Sequence, residues 1–148
     1  MFESLAASDR IQILIVTTHP IQYAVPWFRE LSVRLDVDLS VVFLRQLDAE
    51  HQGTGFGRSF KWDLPMLEGY RSKTLGIDPG SLAFRDLRKL IGVIQEIRPA
   101  MIVVTGWNEK LLLVAPLLCR LLCHPVVVRG DSNALKQRST LARVFHRL

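Results

Sequence analysis

A chain of 148 residues with 49% hydrophobic and 22% charged side chains is long enough to bury one real core and too apolar to remain disordered. Its two cysteines, Cys119 and Cys123, share one apolar stretch and imply no disulfide framework, so the default setting is reducing and cytoplasmic. The formal charge is +5, and the whole excess lies from Arg120 onward, where Arg120, Arg129, Lys136, Arg138, Arg143 and Arg147 face a single acid, Asp131. Such a local surplus suits an anionic partner, a phosphate or an acidic membrane surface, or else a solvated helix face; no nucleic-acid motif accompanies it, so nucleic acid is not expected.

Taken in chain order, "MFESLAASDR" lacks the basic-then-apolar order of a signal peptide. "IQILIVTT", from Ile11 to Thr18, is short, β-branched and apolar, as a strand buried on both faces must be. Val25, Phe28, Leu31 and Leu35 then recur at helical spacing, with Pro26 tolerated in the first turn. "VDLSVVFL" reads as a second strand. The polar, glycine-rich stretch from Arg45 to Tyr70 reads as a long connection, with Phe56, Phe60 and Trp62 as anchors of a mobile lid; it lacks the Gly-Lys-Ser/Thr ending of a phosphate loop. "YRSKTL" is a marginal third strand. Ala83, Leu87, Leu90, Ile91, Ile94 and Ile97 give an amphipathic helix that Pro99 ends. "AMIVVTG" is a fourth strand, Asn108 is placed to cap the apolar helix after it, and Pro116 should kink that helix. "HPVVVRG" is a fifth strand, followed by a basic helical pattern from Ala134. The longest apolar run, Leu111 to Cys119, falls well short of the roughly 20 residues of a membrane-spanning helix, so a soluble protein is expected, with peripheral membrane contact left open.

Strands alternating with helices imply an α/β, Rossmann-like, doubly wound parallel sheet of about five strands in one domain over residues 1–148. Ligands of such sheets lie beyond the carboxyl ends of the strands, where the strand order reverses. If the first strand lies beside the fourth, that point is flanked by "THPIQY" and "TGWNEK". His19 follows the first strand directly, in the place where a catalytic side chain would stand, with Gln22 and Tyr23 as further donors. Gly106 allows close backbone approach, Trp107 offers a ring to pack on, and Asn108 opens the next helix. Arg129 can grip a phosphate or carboxylate, while Asp131 and Ser132 can bind hydroxyls. Each of these has a plainer reading as helix entry, core packing or turn. Cys119, Cys123 and His124 lack a fourth ligand, and thiols at helical spacing in an apolar run fit a core, so no metal is expected and nothing demands a cofactor.

Four stretches in order, "ILIVTTHPIQYAVPWFREL", "GFGRSFKWDLPMLEGY", "IVVTGWNEK" and "VVVRGDSN", resemble the amino-terminal half of group 1 glycosyltransferases, the family 4 type with the GT-B fold. The resemblance implies one half of a two-domain cleft. This half would hold a hydroxylated acceptor, lipid-linked or not. A carboxy-terminal domain, absent here, would bind the sugar nucleotide and carry the paired-glutamate motif. The resemblance further implies polysaccharide biosynthesis at the inner face of a membrane, with no metal required. Two departures stand out: "HPIQY" replaces the family's glycine-rich turn, and Gly106-Trp107-Asn108 replaces the histidine many members carry after the fourth strand. His19 is therefore read from its position and not from the family. The alternative is a non-catalytic α/β binding module, or a truncated remnant, that docks on a partner or an anionic surface. A dinucleotide oxidoreductase is disfavoured, since no Gly-x-Gly-x-x-Gly follows the first strand.

Overall fold

The structure, a computed structural model, describes residues 10–46 and 65–130. The elements are β1 (Ile11–Thr17), α1 (Val25–Val33), β2 (Val37–Phe43), β3 (Arg71–Thr74), α2 (Phe84–Ile97), β4 (Met101–Thr105), α3 (Lys110–Leu121) and β5 (Val126–Arg129). The five strands form one parallel sheet in the order β3-β2-β1-β4-β5. The chain thus runs outward from β1 on one side, crosses back through α2, and resumes on the other side beside β1. The order reverses between β1 and β4, the hallmark of a Rossmann-like sheet.

Residue parity along the central strands sorts the core into two layers. Leu14, Val16, Val42, Ile102 and Val104 pack on one face with Leu90, Val93 and Ile94 of α2 and Leu111, Leu112, Ala115 and Cys119 of α3. Ile15, Leu39, Val41 and Phe43 pack on the other with Phe28 of α1. Helices on both faces explain why β1 and β2 are near-continuous apolar runs. On the α1 side the rings of Phe28 and Tyr70 meet edge-on at 5.3 Å, and Phe43 and Tyr70 lie 6.5 Å apart. Pairs of this kind stabilise by about 0.5–1.5 kcal/mol beyond the area they bury. Burial pushes the Tyr70 phenol up to about 12, and its hydroxyl donates to the Met66 carbonyl.

Local chemistry sets the helix ends. α1 stops at Val33, because Arg34 turns extended (ψ 138°) and forms a paired fork with Asp36 at 2.9 Å; Leu35, expected on the helix, is 60% exposed beyond it. At the start of α2 the Ser81 hydroxyl donates to Asp86 at 2.5 Å, and this bond, more than any other contact, holds the carboxyl below its ordinary range. Arg98 ends α2 in the left-handed conformation (φ 51°), with its N–H on Ile94, and Pro99 follows. Pro116 lies inside α3. Leu113, Leu117 and Leu121 of that helix are 57–72% exposed at a spacing of four, and Val127 and Val128 of β5 are also exposed. No described helix is long and apolar enough to cross a membrane. The expected lid with Phe56, Phe60 and Trp62, and the basic pattern from Ala134, lie outside the described residues.

Candidate functional site

The reversal of strand order leaves a crevice at the carboxyl ends of β1, β4 and β5, walled by the start of α1. Thr17, His19, Tyr23, Trp27, Thr105 and Arg129 line it. A tight turn brings the chain from β1 into α1: the amides of Ala24 and Val25 both donate to the Ile21 carbonyl, at 2.9 and 3.2 Å. The turn places side chains, not bare glycine backbone, at the mouth. The Trp27 indole N–H donates to the Tyr23 carbonyl at 3.0 Å, which fixes the ring, and the Arg129 guanidinium lies 4.0 Å over it. A cation on an indole face stabilises by about 0.5–2 kcal/mol. The crevice encloses about 40 Å³. A water's share of the liquid is about 30 Å³, so the floor has room for a group of about that size.

Behind His19 sits a polar hub. The β1–β2 ladder continues past β2, since Leu44 and Arg45 donate to Thr17 and Thr18 at 2.9 and 3.0 Å. Arg45 is thereby held beside the turn that carries His19. Its Nη2 donates to Glu109 Oε1 at 2.5 Å, while the Gly80 amide donates to Oε2 at 2.8 Å. One carboxylate therefore ties the end of β2, the loop before α2 and the turn after β4. The Arg45 hydrogen bond, with help from Gly80, holds the Glu109 carboxyl below its usual range despite burial. The His19 imidazole is pushed below its ordinary 6.5, by burial first and by the Arg45 charge second, with Glu109 opposing. His19 Nδ1 and Arg45 Nε and Nη1 are enclosed, with no hydrogen-bond partner among the described residues.

The sequence-read residues fall as follows. His19, Tyr23 and Arg129 line the crevice. Gly106 stands at its edge with positive φ (85°), and its amide donates to the Arg129 carbonyl at 2.8 Å. The Trp107 ring lies against Gly130, where any added side chain would run into it. Gln22 is half-buried in the turn and does not line the crevice. Asn108 is exposed and does not cap α3; the N-cap residue is Glu109, which makes no side-chain cap because Arg45 and Gly80 hold its carboxylate. Asp131 and Ser132 lie outside the described residues. Arg45 and Glu109 were missed by sequence reasoning; a charged residue directly after a buried strand was the available signal. Cys119 is core, its thiol pushed to about 11 by burial, and the His124 Nδ1–H donates to the Pro99 carbonyl at 3.0 Å.

A larger hollow, about 550 Å³, lies elsewhere, against the middle of β2 and β3, between Gln12, Ser40, Arg71 and the end of α2. Its rim charges are already paired, Arg71 with Asp38 and Lys73 with Glu96, and it lies away from the strand ends where ligands of such sheets collect. The reversal-point crevice, though smaller, has the better chemistry for a site. No protein-family model matches the chain, and no curated protein or solved structure matches it either.

Proposed function

We propose that the chain is the acceptor-side half of a two-domain, sugar-nucleotide-dependent glycosyltransferase of the group 1 type. One observation carries the reading: where a nucleotide-binding turn would be bare glycine, the reversal point presents a hydroxyl-binding set. Thr17, Thr105 and His19 can exchange hydrogen bonds with an alcohol, the indole of Trp27 offers a flat apolar face, and Arg129 supplies a cation. In this reading an acceptor hydroxyl enters the small floor and its sugar or lipid-linked body lies across the mouth. The bond between the donor's anomeric carbon and its phosphate oxygen breaks as the bond to the acceptor oxygen forms, and the hydroxyl proton passes to the departing phosphate. A second domain would hold most of the nucleotide, and the basic end of the chain would face that cleft or the inner surface of a membrane.

The test has two arms. Calorimetric titration of the 148-residue chain with a panel of sugar nucleotides should give dissociation constants on the order of millimolar or weaker, and no transfer, because half a cleft cannot hold donor and acceptor in line. In a protein carrying both domains, His19→Ala should lower kcat far more than it lowers Tm. Micromolar binding with turnover by the chain alone would refute the reading. A second reading, a docking module without chemistry, is favoured by the exposed leucine stripe of α3. It predicts that His19→Ala changes nothing while Leu117→Lys abolishes partner binding.

A further inference from the structure

We infer that Arg45 and Glu109 are positioning residues for His19: an ion pair spanning the ends of β2 and β4 that fixes the imidazole as the neutral Nε2–H tautomer, so that toward the crevice His19 is a hydrogen-bond donor and not a base. The inference deepens the glycosyl-transfer reading and rests on it for its functional meaning, but its geometry stands apart.

Nδ1 of His19 is shut away from solvent without a partner among the described residues. Arg45, whose amide donates to the carbonyl of Thr18, next to His19 in the chain, and whose Nη2 donates to Glu109, is a donor-only group, with Nε and Nη1 also enclosed and without a partner among the described residues. A proton on Nδ1 would add another buried donor to a hub already short of acceptors. The Arg45 charge opposes a proton there and favours the lone pair instead. Among the described residues no hydrogen bond joins the ring to Glu109, whose two oxygens accept from Arg45 and from the Gly80 amide. With Nδ1 unprotonated, the neutral ring must carry its proton on Nε2, the nitrogen left to the crevice that His19 lines.

The charged and titratable groups around the ring come from every neighbouring element: Arg45 after β2, Glu109 at the head of α3, Arg129 at the end of β5 and Tyr23 before α1. Arg45 and burial disfavour a second proton, and Glu109 favours it. An N–H held toward an incoming oxygen would orient the acceptor hydroxyl through its lone pair and leave its proton free to depart elsewhere. His19 in this role selects ligands that present an oxygen acceptor at the crevice floor.

The experiment is long-range nitrogen–proton correlation NMR of the imidazoles in the uniformly labelled 148-residue chain, with His19 assigned by the signal lost in His19→Gln. The expected spectrum at neutral pH is the Nε2–H tautomer, with a protonation midpoint below 6.5. Arg45→Met should move that midpoint up, and Glu109→Gln should move it further down. Arg45→Lys should restore the low midpoint in part. Opposite signs from the two partners distinguish charge positioning from simple loosening, which would carry both variants up toward a free histidine. An Nδ1–H tautomer in the wild-type chain, or a midpoint at or above 6.5, overturns the inference, and the wild-type spectrum decides this even if a variant fails to fold. If the tautomer is as expected but His19→Ala leaves turnover of a two-domain protein unchanged, the functional reading fails and the positioning geometry survives.

Discussion

Replacing Arg45 with Met tests whether the hub holds the ligand edge of the sheet together. The Arg45 and Glu109 side chains are 19% and 11% exposed, so the change leaves a largely enclosed carboxylate with the Gly80 amide as its remaining donor. Removing one partner of a fully buried pair costs about 3–5 kcal/mol. Residual solvent access screens part of that, which brings the expectation to about 2–3 kcal/mol. In a chain of this size each kcal/mol moves the midpoint by about 2–4 °C, so Tm should fall by about 4–12 °C. Arg45→Met combined with Glu109→Gln should be about 1–2 kcal/mol less damaging than the two singles added together, because the second change removes the stranded charge. Thermal and urea unfolding at pH 7, followed by far-ultraviolet circular dichroism, measures all four corners of the cycle. An Arg45→Met protein within about 0.5 kcal/mol of wild type, or strictly additive changes, would refute the claim that this pair is enclosed and coupled.

Phe28→Ala should destabilise by about 3–5 kcal/mol in urea unfolding, since the ring is 3% exposed and packs on Tyr70 and Phe43, whereas Phe84→Ala, at a ring 73% exposed, should stay within about 0.5 kcal/mol. His19 is lowered in the folded chain, so below pH 6.5 the unfolded chain takes up the proton more readily and stability falls as pH drops; His19→Gln should flatten the urea midpoint between pH 6.5 and 5. Glu109 and Asp86 are lowered too, so their contribution is full above the ordinary carboxylate range and is lost as acid titrates them, below the window in which His19 acts. Leu113→Lys with Leu117→Lys should leave Tm nearly unchanged and reduce self-association in light scattering, because both side chains already face solvent.

The central strands were legible because buried parallel strands write themselves as unbroken β-branched runs, as Ile11–Thr17 and Val37–Phe43 do, whereas the sequence offered the neighbouring of β1 and β4 only as a condition. β3 was marginal for the opposite reason: Arg71–Thr74 is an edge strand whose side chains are mostly exposed, so no apolar run marks it. On α2 the buried stripe is shifted from the one that apolar spacing marks: Val93 is buried beside Leu90 and Ile94, whereas Ile91 is half-buried and Ala83 is the exposed N-cap. His19 and Arg129 could be placed because each follows directly on a strand. The hub could not, since the Arg45–Glu109 bond joins residues 64 positions apart and depends on how three connections fold back over the sheet. Asn108 looked like the cap of α3 by residue type; the neighbouring glutamate took the N-cap position because its carboxylate had stronger partners than the helix amides.

The two margins of the sheet differ in kind. On the β3 side, Arg71 and Lys73 stand outward in ion pairs with Asp38 and Glu96, and charges on an outer strand discourage another strand from pairing there. On the β5 side, Val127 and Val128 are exposed, as are Leu113, Leu117 and Leu121 of α3, and no strand pairs with β5 on its outer side among the described residues. Among the described residues, then, the domain is insulated on one flank and adhesive on the other. The reversal-point crevice opens at the carboxyl ends of β1, β4 and β5, so one of the strands that lines it is also the strand at the apolar margin.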